Sequence, residues 1–267
     1  MKTGIGRDSL RGMVKTGVDA LWRTAYRRVV RSAFATVPFY RERWALGGRT
    51  EPRLGSGSAE GAVSTEDLVR AAVDLAPLAG GPTGFDPVRG LGGLLPLARP
   101  TAGDGLLVAL EHPGARPVWD LPRGWRGCLV DAEVDDPALP EVGAALGAGR
   151  PVVAVGPDKA LDGFTDRVPG GDRVHRVPRR TLDRLDSGPY GVLHDPVLGY
   201  LGVLRDCGLW HLDWTRVYAR RTRAGLAFTL LRQRSPRLVD ALVGGGVPGR
   251  VEWCPRHATP VVRTVAG

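Results

Sequence analysis

An α/β fold built on a mixed sheet is what this chain of 267 residues predicts, and three features predict it. Short apolar runs at Leu106 to Leu110, Cys128 to Val130 and Val152 to Val155 have the length and composition of buried strands. Residues 10 to 36 carry apolar side chains at helical spacing, and the 38 glycines and 22 prolines call for short elements joined by many turns. With 43% apolar and 24% charged residues the chain is neither disordered nor a coiled coil, and it has no apolar run long enough to span a bilayer.

The elements follow in order. Leu10, Val14, Val18, Leu21, Trp22, Ala25, Val29, Ala33 and Val37 define the apolar face of an amphipathic helix opposite Arg23, Arg27 and Arg31, and Pro38 ends it. The segment from Pro38 to Trp44 sets aromatic mass on a core while its arginines reach solvent. Residues 47 to 61 form a linker rich in Gly, Ser and Arg. Ser64 followed by Asp67 marks a helix start leading to Leu75. Gly80 to Gly84 is an ordinary turn cluster within a Gly- and Pro-rich stretch from 80 to 104, since the Lys and Ser of a phosphate loop do not follow it.

After the three buried strands, Arg173 to Val177 reads as a strand and Leu182 to Leu185 as a helical turn. Trp214 to Arg220 and Leu226 to Leu231 form a hairpin through Arg223, Ala224 and Gly225. Ser235 and Pro236 open a short helix through Leu238, Val239, Leu242 and Val243, closed by Gly244 to Gly246, and residues 260 to 265 add a terminal strand. The division expected is an N-terminal helix and linker over 1–61 and a compact α/β domain over 62–267.

The net charge is +9, but only three of the 37 basic residues are lysines, which reflects coding bias more than a phosphate-binding surface. Residues 1 to 50 hold eleven basic against three acidic residues, and 201 to 267 eleven against four. That asymmetry either pairs the two ends with an acidic middle or orients a partner. Zinc-finger spacing, aromatic-interleaved sheet motifs and a basic recognition helix are absent, so nucleic acid is not an expected partner. Three cysteines cannot all pair within the chain, and the N-terminus carries no apolar targeting segment, so a reducing cytoplasm is the expected compartment.

Two Cys/His pairs stand out. Cys207 and His211 are four apart, Cys254 and His257 three apart, and two thiolates with two imidazoles satisfy a tetrahedral zinc ion. With four protein ligands that zinc is structural. Core cysteines and capping histidines are the alternative reading of the same residues. His194 and Asp195, at the mouth of a sheet, are the acid/base candidates, although adjacent residues need not face each other. Cys128 sits in an apolar run and reads as an inert buried thiol, and His112 and His175 as surface or turn residues.

Several of these segments resemble the phenylacetate-CoA ligase and coenzyme F390 synthetase group of adenylate-forming enzymes. Val37 to Trp44 resembles that group's early aromatic segment, and Thr65 to Leu68 the element after it. Tyr190 and Gly191 fall at the tyrosine and glycine of its adenylate motif, which makes them substrate-pocket candidates. Cys207, His211 and Leu226 to Leu231 resemble its later sheet region, and Cys254 to His257 its metal-binding turn. The departures are as informative. Gly80 to Gly84 has one threonine and no serine where the family grips ATP phosphates, Leu193 and His194 stand where it uses threonine and glutamate, and Asp240 is displaced from the ribose-binding carboxylate. The sequence ends where the family's lysine-bearing domain would begin, so the resemblance implies a ligase-like α/β core lacking that domain.

The first functional reading is therefore a ligase-derived accessory protein of specialised acyl or polyketide metabolism that has lost ATP-dependent adenylation. On it, ATP and magnesium are not expected, and the partners are an acyl substrate or acyl-carrier protein and a biosynthetic partner protein. The second reading is a remodelled enzyme performing acyl transfer, cyclisation or another proton transfer through His194 and Asp195. The third is a residual acyl-adenylate or acyl-CoA ligase that needs a partner domain.

Overall fold

The computed structural model describes residues 7–45, 62–98, 103–111, 118, 120–131, 138–185, 188 and 190–264. In chain order the helices are α1 (Arg7–Thr36), α2 (Pro38–Ala45), α3 (Thr65–Arg70), α4 (Leu91–Ala98), α5 (Leu139–Gly147) and α6 (Asp158–Arg167). The strands are β1 (Val63–Ser64), β2 (Gly105–Leu110), β3 (Trp125–Val130), β4 (Val152–Gly156), β5 (His175–Arg180), β6 (Val192–Asp195), β7 (Gly199–Leu204), β8 (Trp210–Leu212), β9 (Val217–Thr222), β10 (Gly225–Leu230), β11 (Ala241–Leu242), β12 (Gly249–Trp253) and β13 (Pro260–Thr264). The chain forms two units, one of residues 1–85 with 209–267 and one of residues 86–208. The linker expected at 47 to 61 lies outside the described residues. Among the described residues no helix is long and apolar enough to cross a membrane.

The unit over 86–208 holds six neighbouring strands of a sheet, in the order β7-β6-β5-β4-β2-β3. Its strands are parallel except β7, which turns back antiparallel on β6. The alternation of β2 shows why its run is wholly apolar. Leu107 and Ala109 face a core layer completed by Leu91, Leu94 and Leu95 of α4, whereas Leu106, Val108 and Leu110 face Val142 and Leu146 of α5 and Leu161 and Phe164 of α6. Both faces of this parallel sheet are covered, as its composition requires. Helix α4 replaces part of the expected turn region. Gly92, Gly93 and Pro96 read as breakers in the sequence, but its leucines are buried on the sheet and that burial prevails over propensity.

In the other unit, β1-β11-β10-β9 form one sheet, and β12-β13-β8 pair antiparallel beside it in sequence. The hairpin of β9 and β10 is present as the sequence predicts. Helix α1 uses a face rotated from the expected one. Val14 and Leu21 are exposed, while Trp22, Tyr26, Val29, Val30 and Ala33 are buried. Trp22 donates its indole N–H to the Val217 carbonyl at 2.8 Å, and Tyr26 stacks on Tyr218 with centroids 4.2 Å apart. Pro38 does end α1, and it also opens α2, whose Tyr40 and Trp44 are buried. Ser64 caps α3 by accepting from the Asp67 amide at 3.1 Å.

The short helix expected after Ser235 does not form. Its backbone is claimed by other partners: the Leu230 amide donates to Leu238 O at 3.0 Å, the Val239 amide to the Tyr40 hydroxyl at 2.8 Å, and the Asp240 amide to Thr229 Oγ1 at 2.9 Å. Asp240 itself has a left-handed backbone with φ 50°, which a helix cannot contain.

Candidate functional site

The four Cys and His residues selected by spacing come together. The ligand atoms of Cys207, His211, Cys254 and His257 all lie within 4.8 Å of one another, and such a group can hold a metal ion. Cys254 follows β12, and His257 lies in the turn that leads to β13. The Cys254 amide donates to Thr259 O and the Ala258 amide to Cys254 O, both at 2.9 Å, which folds the turn over its own thiol. Ala258 closes it in the left-handed region with φ 52°. His211 lies on β8 beside Val261 of β13, so strand pairing sets it next to this turn. Cys207 reaches the cluster through the covalent turn from Arg205 to Gly208, closed by a 2.8 Å backbone hydrogen bond.

Two further distances define the cluster. Cys254 Sγ is 3.4 Å from His257 Nδ1, and the rings of His211 and His257 meet nearly edge to face at 5.0 Å. His211 Nδ1 is 2.7 Å from Thr259 Oγ1, which fixes the imidazole and leaves Nε2 for a ligand. Thr259 was not legible as a partner, because nothing in the sequence marks a threonine two residues past a histidine. No disulfide links the three cysteines. Cys128 is half-buried on β3 against the α5 and α6 side of the sheet.

His194 and Asp195 are neighbours on β6 with separate engagements. Asp195 Oδ1 accepts from the amides of Val197 at 2.9 Å and Leu198 at 3.0 Å, capping the turn into β7. His194 is 4% exposed, its Nε2 is 2.9 Å from the Pro87 carbonyl, and its ring lies 4.6 Å from that of Tyr200. Burial lowers its pKa to about 3, helped by the charge of Arg179, while the bond to Pro87 opposes the shift. Arg179 is ion-paired with Glu111, whose carboxylate lies 4.0 Å from His194 Nε2. Burial likewise raises the pKa of Tyr200, against the opposing charge of Arg179. Glu111, Arg179 and Tyr200 come from three different strands or strand ends, so no local spacing could have nominated them.

The other candidates stand apart from this cluster in their contacts. Tyr190 is 43% exposed, with its ring edge-on to His175 at 4.8 Å, and the carbonyl of Gly191 accepts from the Leu204 amide at 2.9 Å. His175 is the first residue of β5 and half-buried, and His112 lies outside the described residues. Asp240 is buried and fully engaged. It accepts from the Tyr26 hydroxyl at 2.9 Å and from Arg220 through two hydrogen bonds of 3.0 and 2.8 Å. Burial and that carboxylate raise the pKa of Tyr26, and hydrogen bonding to Asp240 raises that of Arg220 despite its burial.

A doubly covered, largely parallel sheet in one unit and largely antiparallel strand pairing in the other, with a Cys and His cluster able to hold a metal ion, define an α/β class of protein with a candidate metal centre. No protein-family model and no curated protein matches the chain. Solved structures of 2-hydroxyisobutyryl-CoA ligase share its fold. The open conformation of that ligase in complex with 2-HIB-AMP and CoA matches at a TM-score of 0.58 with 15% identity, over 92% of this chain and 73% of the ligase. Its postadenylation state in complex with R3-HIB-AMP matches at 0.61 with 11% identity, over 92% of this chain and 66% of the ligase. Its thioesterification state matches at 0.54 with 13% identity. The chain thus has the mixed-sheet α/β architecture of an acyl-CoA ligase core and spans about two thirds to three quarters of that ligase's length.

Proposed function

We propose that this chain derives from adenylate-forming ligases of the phenylacetate-CoA ligase type, no longer activates carboxylates with ATP, and serves acyl metabolism as an accessory protein. The observation that carries the proposal is His194. It stands where the resembling family has the glutamate that serves nucleotide and magnesium, and here that place holds a buried neutral imidazole bonded to Pro87 O, with the nearby carboxylate of Glu111 taken up by Arg179. Asp240, which is displaced in sequence from the resembling family's ribose-binding carboxylate, is likewise closed by Arg220 and Tyr26.

The enzyme reading loses its general base on the same geometry. Efficient acid/base groups titrate near the working pH, and His194 is held far below it while Asp195 caps a turn. Its function on this proposal is to fill and fix the ends of β5, β6 and β7.

The Cys and His cluster is proposed to hold zinc through Cys207, His211, Cys254 and His257. The fit rests on the donor set and on the 3.4 Å separation of Cys254 Sγ and His257 Nδ1, against about 3.5 Å for an S and N pair on tetrahedral zinc. Four protein ligands leave no open position, so this zinc would brace the β12–β13 turn.

Carboxylate-dependent pyrophosphate exchange tests the proposal. Purified protein offered ATP, magnesium and a panel of aryl and short-chain carboxylates should exchange no label above the blank, and exchange with any of them would overturn it.

A further inference from the structure

A groove of about 780 Å³ runs between α1 and the strands β9 and β12, and neither the fold nor the metal centre accounts for it. Its floor is aromatic. Trp22 lies 4.5 Å from Tyr218 and 6.4 Å from Trp253 between ring centroids, and the Trp22 bond to Val217 O holds the arrangement in place. Tyr218 and Trp253 are only half-buried. The walls are cationic. Arg23 stands on the helix side, with Arg27 and Arg31 continuing the exposed row over the next two turns of α1. Arg221 and Arg223 stand on the sheet side, exposed, their side chains without an ion pair or hydrogen bond among the described residues. The unit that contains the groove has 23 basic against 11 acidic residues, a net of +12, while the other has 14 against 17, a net of −3.

The chemistry of the occupant follows from how these groups are spread. Arg23 to Arg31 extend over about 12 Å of helix, so the cations line a path and do not converge on one small anion. A nucleic-acid backbone suits the groove poorly. Asp19 lies on the rim, paired with Arg23, so a carboxylate interrupts the cationic row. The faces of Tyr218 are also taken up by Trp22 and Tyr26, which leaves a poor platform for base stacking. Trp, Tyr and Arg around an apolar floor are the residue types that dominate protein interfaces. We propose that this groove docks an acidic segment of a partner protein, whose carboxylates pair with Arg221 and Arg223 while an apolar side chain rests on Trp253.

The inference rests on the accessory reading only in expecting a protein partner. Its test is fluorescence anisotropy of the full chain with a labelled synthetic amphipathic helix rich in Glu and Asp and bearing leucine on one face. Saturable one-to-one binding is expected, weakened at least about tenfold by the joint change Arg221→Glu and Arg223→Glu. Reversing an exposed pair that does not line the groove, Arg41→Glu with Arg43→Glu, should change it less than about twofold, which separates the groove from general charge attraction. Circular dichroism melts of both variants confirm that the fold is kept. Absence of saturable binding, equal weakening by the two double variants, or tighter binding of a single-stranded oligonucleotide than of the peptide would each overturn the proposal. ATP binding by the chain would remove the accessory reading and leave this result standing.

Discussion

Arg220 on β9 grips Asp240 with both arms of its guanidinium, Nε to Oδ1 at 3.0 Å and Nη2 to Oδ2 at 2.8 Å, and the Tyr26 hydroxyl of α1 closes on the same carboxylate at 2.9 Å. The side chains of the ion pair are 10% and 5% exposed, so the pair is buried and neither charge has water to fall back on. Its energy lies less in the attraction than in the penalty for separating the partners. Asp240→Asn, which keeps a residue suited to φ 50°, should destabilise the protein by about 3 kcal/mol in urea unfolding. A double-mutant cycle with Arg220→Met should show coupling of at least about 1 kcal/mol. Independent, additive effects would contradict the assignment of Asp240 as a closed structural carboxylate.

Tyr40 makes a comparable tie at one atom. Its buried hydroxyl accepts from the Val239 amide at 2.8 Å and donates to Arg237 O at 3.1 Å, and it stands in for the helix that the 235–243 segment does not form. Tyr40→Phe removes only the oxygen and leaves a buried amide unsatisfied. The expected loss is about 1–3 kcal/mol in thermal or urea unfolding, and a change near zero would show that the hydroxyl is dispensable.

His194 gives the protein a specific acid sensitivity. The folded pKa is about 3, below the ordinary value of 6.5, so the unfolded chain binds a proton through that interval that the folded chain excludes. The stability it contributes is complete above pH 6.5 and falls away as the pH drops toward 3, on the order of 1 kcal/mol per pH unit. His194→Gln, which retains an N–H donor for Pro87 O, should flatten the stability profile between those limits. An unchanged slope would mean that His194 is not the group responsible.

The zinc site proposed at Cys207, His211, Cys254 and His257 should make stability depend on zinc. Purified protein is expected to carry about one zinc per chain, and a chelator should lower its melting temperature by several degrees. Cys254→Ser or His257→Ala should reduce both the zinc content and the chelator effect. Full stability in metal-free protein, with no response to added zinc, would dismiss the site.

Much of this was legible from local pattern. The strands at Leu106 to Leu110 and Val152 to Val155 are wholly apolar because both faces of their sheet are covered, and a continuous apolar run states that directly. The Ser64 cap and the β9–β10 hairpin depend on neighbours in sequence and were equally visible. The Cys and His pairs were legible because each half is local, although their meeting depends on β8 pairing with β13. Where the reading failed, a distant partner decided. Tyr26 takes the helix face that Leu21 was expected to hold, since its hydroxyl finds Asp240 214 residues away. The leucines of α4 override its glycines and proline because a sheet lies beneath them. Glu111 and Arg179 meet across strands, and no spacing rule links them to His194.

The proposed loss of adenylation rests on the sealed contacts of His194, with Asp240 closed by Arg220 and Tyr26. Calorimetric titration of purified, zinc-replete protein with ATP and magnesium tests it most directly. No saturable heat of binding is expected, and a saturable one-to-one isotherm would contradict the proposed loss of adenylation.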